Sequence, residues 1–122
     1  MREALAALNG QRMTFTATFD RFGLRPHFGD IYLQTVLLQD VTTADGTPAA
    51  SHVWLPCGER LGALDLHHGD KLTFQARVTP YHKGQVYRRK NGKLKRIVSF
   101  LDYKLAYPTR ILHQPKREGA TP

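Results

Sequence analysis

Between Lys83 and Arg96 the sequence KGQVYRRKNGKLKR carries seven of the chain's eighteen Lys and Arg residues and no acid. Cations at that density suit phosphate groups, which are bound through charge and without base identity. Asn91-Gly92 divides the run, and this dipeptide suits the positive-φ positions of a tight turn, so the charges are expected on both limbs of a hairpin. Val86 and Tyr87 continue the preceding strand pattern, and such a hairpin would carry Arg88, Arg89, Lys90, Lys93, Lys95 and Arg96 away from the body. A basic run can equally be a solvated loop that keeps a protein soluble. The distribution of charge argues for more. Residues 1–61 hold five basic and six acidic side chains, a net of −1, whereas 62–122 hold thirteen and four, a net of +9. Solubility does not require that asymmetry.

Flat rings near cations are the second chemistry available, because a base stacks on an aromatic face while its phosphate meets a positive charge. Trp54 has the opposite parity to Val53 and Leu55. If those two point inward the indole faces the surface; the alternative is a core tryptophan, since the strand before it alternates imperfectly. Tyr32 carries the same ambiguity. Phe22 and Phe28 stand among Arg21, Arg25 and His27, a mixture suited to a nucleotide groove, although one of the two rings is expected to plug an end of the core. Tyr81 and Tyr87 flank the basic run, and with Lys83 and the outward-facing Arg77 they could extend a continuous track.

Catalytic chemistry finds less. His67 and His68 are neighbours in a turn, with no Cys-x-x-Cys or His-x-x-x-His spacing, and are expected to end a helix rather than hold a metal. Cys57 could act as a nucleophile only with a histidine such as His52 beside it; an incidental thiol is the alternative reading. Asp20, Asp30, Asp40, Asp65, Asp70 and Asp102 are scattered over strand ends and turns, and no phosphate-binding glycine loop, dinucleotide fingerprint or zinc knuckle is present. Neither a catalytic residue nor a cofactor is expected.

The elements that must position these residues follow mostly a period of two. Met13, Phe15, Ala17 and Phe19 alternate with threonines as a half-buried strand. RFGLRPHFGD, residues 21–30, reads as a loop with two glycines and a proline. Ile31 to Val41 is a long apolar strand with a bulge or with both faces buried. Asp45-Gly46 turns the chain into a return strand at Ala50 to Leu55. Glu59 to His68, carrying Leu61, Leu64 and Leu66, is a short helix, after which Leu72, Phe74, Ala76 and Val78 alternate with polar residues. Ile97 to Tyr107 is the last strand, with Leu101, Tyr103 and Leu105 on one face and Phe100, Asp102 and Lys104 on the other. Residues 1–11 are a lead-in, 12–107 one domain, and 108–122 a polar, frayed tail. At 122 residues there is room for a single core. No run approaches the ~18 apolar residues of a membrane span, no secretory signal opens the chain, and a lone cysteine suits a reducing compartment, so a cytoplasmic protein is expected.

Five strands with a short helix between the third and fourth is the element order of the OB-fold, a mainly β Greek-key barrel. Gly69-Asp70 leading into Lys71 to Val78, then Tyr81 and Lys83-Gly84, resembles the fourth strand of such folds. With Thr35 to Leu38, Asp40-Val41, Asp45-Gly46 and His52 to Leu55, the chain is also similar to small OB-like proteins of bacterial mobile elements and phages. The resemblance covers about residues 12–107 and implies binding of single-stranded nucleic acid, DNA or RNA, largely without sequence preference. The other reading is an OB-fold interaction subunit that docks a helicase, polymerase or ribonucleoprotein complex and meets nucleic acid only in that assembly; a small metal-dependent nuclease or deaminase is a remote third. No membrane partner is expected, because no basic amphipathic helix is visible.

Overall fold

The computed structural model describes residues 2–116, giving backbone alone for Phe28 and for residues 83–90 and 94–100. A short helix α1 (Glu3–Ala6) precedes the strands β1 (Arg12–Phe28), β2 (Ile31–Thr43) and β3 (Pro48–Pro56); a second short helix, α2 (Gly58–Gly62), leads to β4 (Lys71–Lys90) and β5 (Lys93–Gln114). Every pairing is antiparallel, and the strands form one sheet in the order β3-β2-β1-β4-β5.

The core follows the alternation of apolar residues. Phe15, Ala17 and Phe19 of β1 face inward together with Leu72, Phe74, Ala76 and Val78 of β4, all at most 2% exposed. Phe15 and Phe74 are directly paired across the ladder, their rings 6.2 Å apart. Val36, Leu38 and Val41 of β2, Val53 and Leu55 of β3, and Leu105 of β5 complete the sheet's contribution. Leu5 from α1 and Leu61 from α2 join this core. Each such side chain contributes about 1.5–3 kcal/mol through burial, so the apolar period-two pattern is what holds the sheet together.

The irregularity expected in β2 is present in both forms. Thr35, Val36, Leu37 and Leu38 are all buried, and Asp40 sits at φ 53 where the register with β1 shifts. The Asp45-Gly46 turn is also found, with Asp45 Oδ1 accepting from the Thr47 amide at 3.1 Å and from the Thr43 hydroxyl. The Asn91-Gly92 hairpin is formed, with φ of 54 and 76, both positive as a type I′ turn demands.

Other expectations are corrected. Residues 21–30 are not a loop: β1 continues to Phe28 and only Gly29 and Asp30 turn, because Arg21 to Phe28 pair with Ile31 to Leu37. Pro26 is accommodated near the tip of that hairpin, beyond the reach of β4. The helix after β3 ends at Gly62 rather than His68, leaving Leu66 to reach the core from irregular chain. The polar tail does not start at Pro108, since β5 pairs with Lys71 to Gln75 through Gln114. The two faces of β5 also differ: Leu101 is 44% exposed while Asp102 is buried. Asp102 is drawn in because its Oδ1 accepts from the Arg2 amide at 3.0 Å and the Tyr103 amide at 2.8 Å. The lead-in is thereby structural, since Leu5 has no exposure and Arg2 donates to the Tyr103 carbonyl at 2.7 Å.

The sheet is not closed into a barrel. It curls until β3 and β5, its two edges, face each other across a groove, with no ladder joining them among the described residues. Pro56 on β3 and Pro108 on β5 have no N–H to donate there. Register shifts interrupt β5 where Tyr107 and Arg110 adopt φ of 54 and 51. No described helix is long and apolar enough to cross a membrane.

Candidate nucleic-acid interface

The groove between the sheet edges has a volume of about 600 Å³. One wall is Trp54 and Pro56 of β3 with Arg25 of β1, and the other is Thr79 and Pro80 of β4 with Lys104 to Pro108 of β5. Arg25 and Lys104 are its charged lining residues, and no Asp or Glu is among them. Anions are therefore favoured at this site over cations.

Trp54 lies on the outer face of the sheet, 43% exposed, as the inward positions of Val53 and Leu55 require. It pairs with Leu37 of β2, which pairs in turn with Arg21 of β1. The Arg21 guanidinium carbon is 5.9 Å from the indole centroid, close enough for a cation–π contact. Gly23 makes room for the ring: a Cβ at that position would lie 2.7 Å from Trp54 Cζ3. Thr35 and Leu37, buried although they share the outer face with Trp54, show that this side carries a cover of its own. Arg21 is also engaged by Asp20 at 2.6 Å, an exposed pair worth little.

Of the expected residues only Arg25 and Trp54 line the groove, and the others described fall into two groups outside that lining. On the β1–β2 hairpin, Phe22 is 38% exposed and edge-on to Phe19, 4.9 Å between ring centroids. Tyr32 is 58% exposed and pairs with Pro26. The Phe28 side chain lies outside the described residues. At the root of the basic hairpin, Arg77 donates to the Gly10 carbonyl at 3.2 Å. Tyr81 carries Lys104 above its ring, 5.8 Å from the centroid. Lys93 is exposed at the hairpin tip, while the side chains of Lys83, Tyr87, Arg88, Arg89, Lys90, Lys95 and Arg96 lie outside the described residues. Their backbone does not. The register sets Lys90 opposite Lys93 and Arg88 opposite Lys95. Like charges directly opposite destabilise a ladder, and bound anions relieve that repulsion. From Pro80 to Lys90, roughly 3.3 Å per residue gives an arm on the order of 35 Å that pairs with β5 but not with β1.

Tyr107, Pro108 and Lys104 are among the groove residues not singled out from the sequence as site residues. Tyr107 is 73% exposed at φ 54. A non-glycine residue held there costs of order 1–3 kcal/mol and calls for a compensating contact. One is visible, since Arg12 donates to the Tyr107 carbonyl at 3.0 Å and to the Thr109 hydroxyl. The Tyr-Pro dipeptide was the available signal, because a proline inside a strand marks an edge or a bulge.

On the far side of the molecule, buried Asp70 is an anchor for the end of β5. Burial alone would raise its pKa, but the amides of Lys116 and His67 and the imidazole of His113, 2.8 Å away, hold it down at about 2. His67 and His68 are not helix-terminal, because α2 has already ended; they pair with Asp65 at 3.2 Å and Asp20 at 3.0 Å. No cluster of three or more His, Cys, Asp or Glu stands ready for a metal among the described residues. Cys57 is buried, which pushes its thiol pKa up, and His52 is engaged by Ser51 at 3.1 Å. Compared with protein-family models, with curated proteins and with solved structures, the chain matches none.

Proposed function

We propose that this protein binds single-stranded nucleic acid, DNA in preference to RNA, largely without regard to sequence. The observation that carries the reading is an exposed tryptophan under an arginine, in a groove free of acid, at the root of a two-stranded basic arm. Cations along the arm follow the phosphates while the ring offers a face to a base. The pairing order β3-β2-β1-β4-β5, with a helix between β3 and β4, supports an OB-fold whose usual closure between third and fifth strands is replaced by the groove.

The test is a competition among ssDNA, ssRNA and duplex at two salt concentrations. Four to seven engaged cations give a slope of log K against log salt of roughly −3 to −5, at about −0.7 per phosphate. Neutralising Arg88, Arg89, Lys90, Lys93, Lys95 and Arg96 should flatten the slope for all sequences alike, and an unchanged slope removes the arm from the interface. A second reading, a subunit that docks a helicase, polymerase or ribonucleoprotein complex, draws on the β1–β2 hairpin tip. There Leu24, Ile31 and Tyr32 are 71%, 56% and 58% exposed. It prevails if the isolated protein fails to shift a labelled single strand at low salt.

A further inference from the structure

We infer that the groove between β3 and β5 is a slot for one unpaired nucleobase, entered between Trp54 on one wall and Tyr107 on the other. The inference rests on the single-strand reading and goes beyond it in naming which part of the ligand enters, and where. Each wall supplies one half-exposed or exposed ring and one cation: Trp54 with Arg25, and Tyr107 with Lys104. A flat π system bearing a neighbouring negative charge satisfies both, and a nucleotide is such a group.

Two features show that the slot is built into the fold. Its edges do not zip together, and Pro56 on β3 and Pro108 on β5, which line it, have no N–H to donate across it. The same lack of donors disfavours a peptide strand as the occupant, since strand addition depends on a continuous main-chain ladder. The second feature is Tyr107 itself. Its φ of 54 would suit glycine, yet a large ring stands there, and the Arg12 guanidinium holds its carbonyl at 3.0 Å. Bulges of this kind re-aim a side chain, and here the ring is delivered to the groove. The volume of about 600 Å³ lies within the range of sites that enclose small ligands. A base inside a duplex has both faces covered by its neighbours and cannot enter.

The chain has one tryptophan, so its intrinsic fluorescence reports on the slot directly. The full chain is titrated with an end-labelled oligothymidylate of about 20 nucleotides and with a base-free sugar-phosphate strand of equal length, following label anisotropy for binding and Trp54 emission for occupancy of the slot. Both strands should bind through the arm, and only the base-bearing strand should quench Trp54. Tyr107→Gly, which removes the ring at a backbone angle glycine prefers, should weaken oligothymidylate binding about 5- to 100-fold, the range of one lost stacking contact. It should leave the base-free strand unaffected and thermal stability undiminished, and Tyr107→Phe should behave as the unaltered protein. Equal quenching by both strands, or a Tyr107→Gly protein with unaltered affinity, overturns the slot while leaving the single-strand reading in place. Binding of neither strand overturns that reading and the slot with it.

Discussion

Replacing Gly23 with alanine tests the seat of Trp54 without removing any cation or ring. The added Cβ would lie 2.7 Å from Trp54 Cζ3 and 3.0 Å from both Trp54 Cη2 and Thr35 Oγ1. Carbon atoms settle at about 3.5–4.0 Å, so the indole must retreat by roughly 1 Å. Overpacking costs about 1–3 kcal/mol, and a ring 43% exposed can yield toward solvent, which places the cost near the lower end. Exchanging glycine for alanine within a strand returns about 0.5–1 kcal/mol of backbone entropy. Gly23→Ala alone should therefore change stability by less than about 1 kcal/mol. In a Trp54→Ala background the clash with the indole is gone and only the Thr35 contact remains, so the same change should be about 1 kcal/mol more favourable than in the unaltered protein. The contact with Thr35 is common to both backgrounds and cancels. The double-mutant cycle thus carries a coupling of about 1 kcal/mol, read from urea unfolding of the four proteins by far-ultraviolet circular dichroism. Additivity within about 0.5 kcal/mol would mean that Gly23 and Trp54 do not touch, and the account of the indole's position would fail. The displaced ring should also weaken binding of a single strand, with Trp54 emission altered before any ligand is added.

Trp54→Ala should weaken single-strand binding by about 1–3 kcal/mol while leaving the arm's salt slope unchanged, as the anisotropy of a labelled strand, which does not depend on the tryptophan, can show. Asp70 is depressed from the usual 3.8 to about 2 in the folded state. Its contribution of about 2 kcal/mol is therefore fully present above pH 4 and is lost as pH falls toward 2, and urea unfolding over that range should show a fall that Asp70→Asn abolishes. Leu5→Ala, at a position with no exposure, should destabilise by about 2–5 kcal/mol in the same assay, whereas a merely frayed lead-in would tolerate it.

The strands were legible because each is half buried, and burial on one face of a pleated chain writes a period of two into the residues. Phe15 to Phe19 and Leu72 to Val78 show this directly, as does the basic hairpin, whose turn residues need positive φ whatever surrounds them. The loop expected at residues 21–30 failed for the converse reason. Gly23 and Pro26 break strands on average, but here the ladder with β2 continues past them, and Gly23 is small in order to seat a tryptophan from β3, 31 residues away in sequence. Asp102 likewise reads as a polar residue on a solvated face until α1 brings the Arg2 amide to it. The sequence by itself determined the mainly β class, the order of the strands, the inward set and the charge of the arm, because these depend on residue type and near neighbours. Only the tertiary structure decided that the sheet stays open, that Trp54 faces outward, and that Tyr107 stands across a groove from it. Those depend on register shifts and on the meeting of two sheet edges, which are contacts between residues far apart in the chain, and no local pattern encodes them.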